Sequence, residues 1–183
     1  MIIAPRFWNN TSPRRKRLMT IAMVFIVSAI MMGISTLTPL SRQNADSIYN
    51  ELNQTVSTAK DSGNLLQYIF GNNLMITIMM LIPFIGPFLG FYAFYNTGVA
   101  IEALSIAAPH PIPPLVAYVS LWLTPVAWLE FAAYSTAIAA SLWLTWRIMH
   151  QGAGHELVNT SKFLSVCTLI LLLGAIIETA MIV

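Results

Sequence analysis

The sequence predicts an all-α, polytopic helical membrane protein of about five transmembrane helices, kinked or broken in the middle of the chain. Three observations predict it. Of 183 residues, 57% are hydrophobic and only 9% are charged, against about 25% charged in soluble domains. Apolar runs of about 20 residues, the length that crosses a bilayer core, recur from Leu18 to the C-terminus. Prolines such as Pro83, Pro87 and Pro125 interrupt the central runs, and each removes a backbone hydrogen bond and crowds the preceding turn. This length holds one helical domain with a modest loop and leaves no room for a separate catalytic domain.

Residues 1–17 form a basic segment in which Arg6, Arg14, Arg15, Lys16 and Arg17 supply five of the nine basic residues. Such a cluster before the first apolar run holds the N-terminus in the cytoplasm and calls for no nucleic-acid partner. Residues 18–38 form the first span, an uncleaved anchor, because Ser35-Thr-Leu-Thr-Pro39 lacks the small-residue pattern of a cleavage site. Residues 39–68 are polar, with Ile48, Leu52, Val56 and Ala59 at helical spacing, and predict an amphipathic extracytoplasmic helix lying on the surface or over the bundle mouth. Asp61-Ser-Gly63-Asn64 breaks it.

Residues 69–183 make up the helical membrane bundle. A second span runs from Gly71 to Tyr95, bent at Pro83 and Pro87, with Asn96-Thr-Gly98 as its cytoplasmic break. Gly86 and Gly90 have the small-xxx-small spacing for close helix packing, and are expected to serve association with other membrane subunits. Residues 98–124, interrupted by His110-Pro111-Ile-Pro113-Pro114, read either as one broken span or as a re-entrant pair of half-helices. The first keeps the Arg147–Lys162 loop cytoplasmic and is preferred. A fourth span follows Pro125 to about Ile148, with Glu130, Tyr134, Ala137 and Ser141 on one face and Trp122, Trp128, Trp143 and Trp146 as interfacial belts. Residues 149–161 form a loop, and a fifth span from about Lys162 carries Cys167, Leu171, Gly174 and Glu178 on one face and ends outside.

Three acids, Glu102, Glu130 and Glu178, sit in apolar segments that contain no deep Lys or Arg. An ionised carboxylate at a bilayer centre costs about 2.5–3.5 kcal/mol on insertion scales, so each must lie near an interface, carry or share a proton, or hold a cation. The predicted topology puts Glu130 and Glu178 at comparable depths toward the outer face. Hydrogen-bonded glue between helices is the preferred role, with a proton or cation step in transport as the alternative. His150, His155 and Glu156 match no tight zinc spacing and read as a solvated loop. No metal, cofactor or catalytic residue is expected, since nucleophile-elbow, Walker, H-E-x-x-H and haem motifs are all missing from the sequence.

Asn72-Asn73, Asn96-x-Gly98, Pro125-x-x-x-x-Glu130 and Ala175-Ile-Ile-Glu178 together resemble the stage II sporulation protein M family over about residues 70–183. Two departures stand out. The family's Pro-His-Gly-x-x-Glu is Pro125-Val-Ala-Trp-Leu-Glu130 here, and Thr97 splits its Asn-Gly pair, so no role of that histidine carries over. The family is similar to multi-span scaffold proteins whose sporulating members work with cell-wall hydrolases during engulfment. The resemblance implies a helical membrane fold and partnership with other proteins rather than a reaction. The expected function is therefore a non-enzymatic scaffold or accessory subunit of a larger membrane complex, at home in the cell membrane as a multi-pass protein. The alternatives are a small transporter or permease subunit using the glutamates, and a structural subunit of a membrane-bound enzyme.

Overall fold

The computed structural model describes residues 11–150, 152 and 154–182, which form helices joined by short turns and irregular segments, with no strand among them. Arg6 of the basic cluster and the terminal Val183 lie outside the described residues. Helix α1 (Pro13–Ser35) begins five residues before the apolar run, because Pro13 opens it at a position where a missing N–H is harmless and a fixed φ suits the helix. Arg14 to Arg17 are thus its first turn, not a separate arm. After Thr36, whose N–H still reaches Met32 O at 3.2 Å, the bonds tighten to turns, Leu37 N–H to Ile34 O (3.0 Å) and Thr38 N–H to Ser35 O (3.1 Å), since Pro39 disfavours a helical Thr38.

Helix α2 (Arg42–Asp61) is the amphipathic element, shorter than the predicted segment and capped by Ser41, whose hydroxyl accepts from Asn44 N–H at 3.2 Å. Ala45 and Ala59 are buried and Ile48 and Val56 half-buried, whereas Leu52 is 41% exposed. Gly63, at φ +69°, reverses the chain, and Asn64 N–H closes on Ala59 O at 2.9 Å.

The predicted second span is two helices, α3 (Leu65–Met80) and α4 (Gly86–Ala107). Pro83 has no N–H to continue the ladder, and Phe84 takes a left-handed φ of +68°, so the chain turns back between residues 81 and 85. The backbone groups freed there are satisfied by a third helix. Ser141 Oγ donates to Ile82 O (2.7 Å), and Phe84 N–H donates to Thr145 Oγ1 (2.8 Å). Asn96-Thr-Gly98, expected as a cytoplasmic break, lies in the middle of α4. Gly98 is there for contact: a Cβ would overlap Ser35 Oγ and the Met32 carbonyl of α1.

Residues 98–124 are divided between two helices and the turns around them. Their first part completes α4, and α5 (Pro114–Leu121) leads into α6 (Pro125–His150) at an 82° bend. Packing of aromatic rings explains the bend. Trp122 and Trp128, predicted as interfacial, pack on Phe25 and Phe131, with the Trp122 and Phe131 centroids 4.6 Å apart. Trp128 Nε1–H donates to Trp122 O at 2.9 Å across the break. Helix α7 (Gly154–Ile182) starts eight residues before the predicted fifth span and makes its broadest contact with α6, where Cys167 Sγ meets Ala133 O at 3.3 Å. Small buried residues on α6, Ala133, Ala137, Ala139 and Ala140, let its neighbours approach closely.

Contacts orient the two ends of the bundle. The start of α1, the end of α6 and the start of α7 meet through Arg17, Arg147 and Glu156. At the other end Arg42 Nη1 donates to Ile106 O of α4 (2.7 Å) and Lys60 Nζ to Ile182 O of α7 (2.9 Å), so α2 straps that end. By length and composition α1 and α7 can each cross a membrane, and α5 with α6 makes a third if the bent pair is one span.

Candidate functional site

Glu130 sits in the second turn of α6, and the α5–α6 bend sets its height in the bundle. Asn73, buried on α3, donates from Nδ2 to Glu130 Oε1 at 2.5 Å, and Asn72 Nδ2 lies 3.5 Å from Asn73 Oδ1. One turn on, Thr77 Oγ1 donates to the backbone carbonyl of Asn73 at 2.9 Å. Glu178, on α7, is close enough to Glu130 to act on it electrostatically, and both act on Tyr134. Glu130 thus has an amide from α3 as its hydrogen-bond partner, with Tyr134 one turn further along α6.

Glu102 stands apart. It lies on α4 one turn before Ile106, whose carbonyl accepts from Arg42, and its Oε2 is buried with no hydrogen-bond partner among the described residues. Gly86 and Gly90, expected to serve other subunits, are consumed inside the chain. A Cβ on Gly86 would overlap the Met80 carbonyl, and one on Gly90 would overlap Ile138 of α6. Among the described residues no three of the His, Cys, Asp and Glu side chains gather as a metal-holding group.

At the opposite, basic end the structure corrects the solvated-loop expectation for Glu156. Its side chain is 3% exposed and receives both Arg17 amino groups, Nη1 to Oε1 and Nη2 to Oε2, each at 2.6 Å. Arg147 Nε adds its charge 3.9 Å from Oε2. Burial pushes the Glu156 carboxyl up, but hydrogen bonds and charge from Arg17, with help from Asn159 and Arg147, outweigh it, and the pKa lies below the ordinary value. The Arg17 guanidinium also lies 5.2 Å from the Trp143 ring centroid and 5.9 Å from that of Phe163. His150 and His155 remain exposed, His150 stacked on Trp146. The Arg17–Glu156 pair spans 139 positions, and nothing local in the sequence announces it.

Asn73 and Glu130, drawn from two separate motifs of the resemblance, are therefore joined by a hydrogen bond. The family model of stage II sporulation protein M matches residues 21–181. The chain belongs to that family. The match is wider than the resemblance over residues 70–183, for it takes in most of α1 and all of α2. In this member of the stage II sporulation protein M family, the Asn72-Asn73 and Glu130 motifs meet through that hydrogen bond, while Gly98 of the Asn96-x-Gly98 motif meets α1. No curated protein and no solved structure matches the chain.

Proposed function

We propose that this chain is a non-enzymatic scaffold or accessory subunit of a larger membrane complex, whose partners are other integral membrane proteins and the surrounding lipid, with no nucleic acid. In this reading it crosses the bilayer five times, by α1, α3, α4, the α5–α6 pair and α7, with its N-terminus cytoplasmic. The observation that carries it is the tie between Asn73 and Glu130. An acid inside an apolar helix is joined to an amide of another helix, the arrangement of glue that fixes α3 against α6. Support for the orientation comes from the basic side chains, since Arg14, Arg15, Lys16, Arg17 and Arg147 gather at one end.

Glu178 favours the second reading, a small transporter subunit, because its charge acts on Glu130 and coupled acids can hold a proton or cation. One experiment separates the two. The wild type and Glu130→Gln are purified in a gentle detergent, co-purifying proteins are identified by mass spectrometry, and both are assayed for pH- or ion-dependent flux in proteoliposomes. A scaffold retains a stoichiometric membrane partner in both forms, because glutamine keeps a donor and an acceptor. A flux that Glu130→Gln abolishes establishes the transporter. A wild-type chain that copurifies with no other protein overturns the accessory-subunit reading.

A further inference from the structure

The basic end of the bundle holds more positive charge than the chain itself answers. Arg14, Arg15, Lys16, Arg17, Arg147 and Lys162 gather where α1 starts and α6 gives way to α7, against one acid among the described residues, Glu156. That acid is already taken, because Arg17 engages both its oxygens. Arg14, Arg15 and Lys162 are exposed, and no acid among the described residues pairs with them. Like charges crowded in this way repel one another and favour an anion from outside the chain.

The surface that continues from each charge says what that anion is attached to. On α1 the face that begins with Arg15 runs on through Met19 (38% exposed), Met23 (60%) and Ile26 (58%). On α7 the face that begins with Lys162 runs on through Val166 (50%), Leu169 (68%) and Leu173 (51%). These spacings keep each set on one side of its helix. From the charge to the last of these residues each stripe is about 16 Å long, against about 15 Å for half the hydrocarbon core. Height agrees as well. Arg14 and Arg15 precede Leu18, where the apolar run begins, by about 4.5–6 Å of helix, inside a headgroup layer about 5–8 Å deep. Trp146, 40% exposed and lying 5.4 Å from the Arg147 guanidinium, is an amphipathic ring of the kind that settles at that level. A soluble anion or an acidic protein would meet the charges and leave both stripes unused, whereas a ligand with an anionic head and long apolar tails uses all of it.

We propose that Arg14 with Arg15, and Lys162, head two binding sites for anionic phospholipids, with the phosphate on the cations and the acyl chains along the Met19–Ile26 and Val166–Leu173 stripes. The planar forks of the two arginines suit a phosphate. The proposal rests on the reading that α1 and α7 cross the bilayer, and it gives the lipid partner of the proposed scaffold a chemical class.

The test places the full chain in nanodiscs of equimolar phosphatidylglycerol and phosphatidylcholine with identical acyl chains, and counts the lipids it retains by native mass spectrometry. A basic residue at an anionic surface is worth about fivefold, so the wild type is expected to retain phosphatidylglycerol over phosphatidylcholine by at least about tenfold, and a triple variant, Arg14→Gln with Arg15→Gln and Lys162→Gln, by no more than about twofold. Lys60→Gln, at the opposite end, should leave the preference unchanged, and glycerol phosphate in large excess should not displace the lipid. Equal retention of the two lipids by the wild type, or an undiminished preference in the triple variant, overturns the proposal. So does an equal loss in Lys60→Gln, displacement by the chainless headgroup, or loss of a copurifying protein rather than of lipid from the triple variant. Failure of the scaffold reading would show separately, as a wild-type chain that copurifies with no other protein and still retains phosphatidylglycerol.

Discussion

Glu156 shows how a buried charge is held at the bundle's basic end. It lies in the first turn of α7, where a negative charge also suits the helix dipole, and both its oxygens are engaged by Arg17. Removing one partner of such a pair strands the other, at about 3–5 kcal/mol when fully buried. Arg17 is 17% exposed, so about 2 kcal/mol is expected for Glu156→Gln, read as a lower melting temperature in detergent. The pH dependence has a definite sign. The folded-state pKa of Glu156 is depressed, so its contribution is fully present above the unfolded value of about 4.3 and is lost as pH falls through the folded value. The melting-temperature difference between wild type and Glu156→Gln should be constant from pH 8 to about pH 5 and shrink below about pH 4. A difference that stays constant to lower pH would show that Glu156 does not stabilise through its charge.

The helices are set by where backbones approach one another, and the glycines report it. Gly86 abuts the Met80 carbonyl within the α3–α4 reversal, so Gly86→Ala pushes on backbone that cannot swing aside. Gly90 abuts the end of the Ile138 side chain, which can shift, though only within a full core. Gly71, exposed on α3, has nothing within 4 Å of an added Cβ. The expected order of stability, measured by thermal unfolding in one detergent, is Gly71→Ala, then Gly90→Ala, then Gly86→Ala. Gly71→Ala should be neutral or stabilising by up to about 1 kcal/mol, the helix-interior cost of glycine relative to alanine. Equal effects at Gly71 and Gly86 would mean that the α3–α4 reversal tolerates the extra atom.

The arrangement of the whole chain puts α2 and the last residues of α7 at the end opposite to Arg17 and Arg147. Five crossings then follow if α3 and α4 each traverse the bilayer. Topology reporters fused after Ile182 and inserted at Gly63 should both read outside, and one inserted at Phe84, in the reversal between α3 and α4, should read inside. A Phe84 reporter on the outer side would reduce the crossings to those of α1, the α5–α6 pair and α7.

The all-α membrane class, the basic start of α1, the amphipathic α2 and the family were legible in the chain, because composition, charge position and helical spacing are local properties of residues. Glu130, an acid with no cation near it in the sequence, does have a polar neighbour, the Asn73 amide. Tertiary structure decided the rest. A proline bends a helix or ends it according to what receives the freed backbone groups, and at Pro83 the receivers, Ser141 and Thr145, lie on a helix about 60 residues further on. Gly98 reads as a break until α1 is seen lying against it, and Glu156 reads as solvated until Arg17 arrives from the other end of the sequence. In each case the deciding partner is distant in sequence, and only the packed bundle brings it within reach.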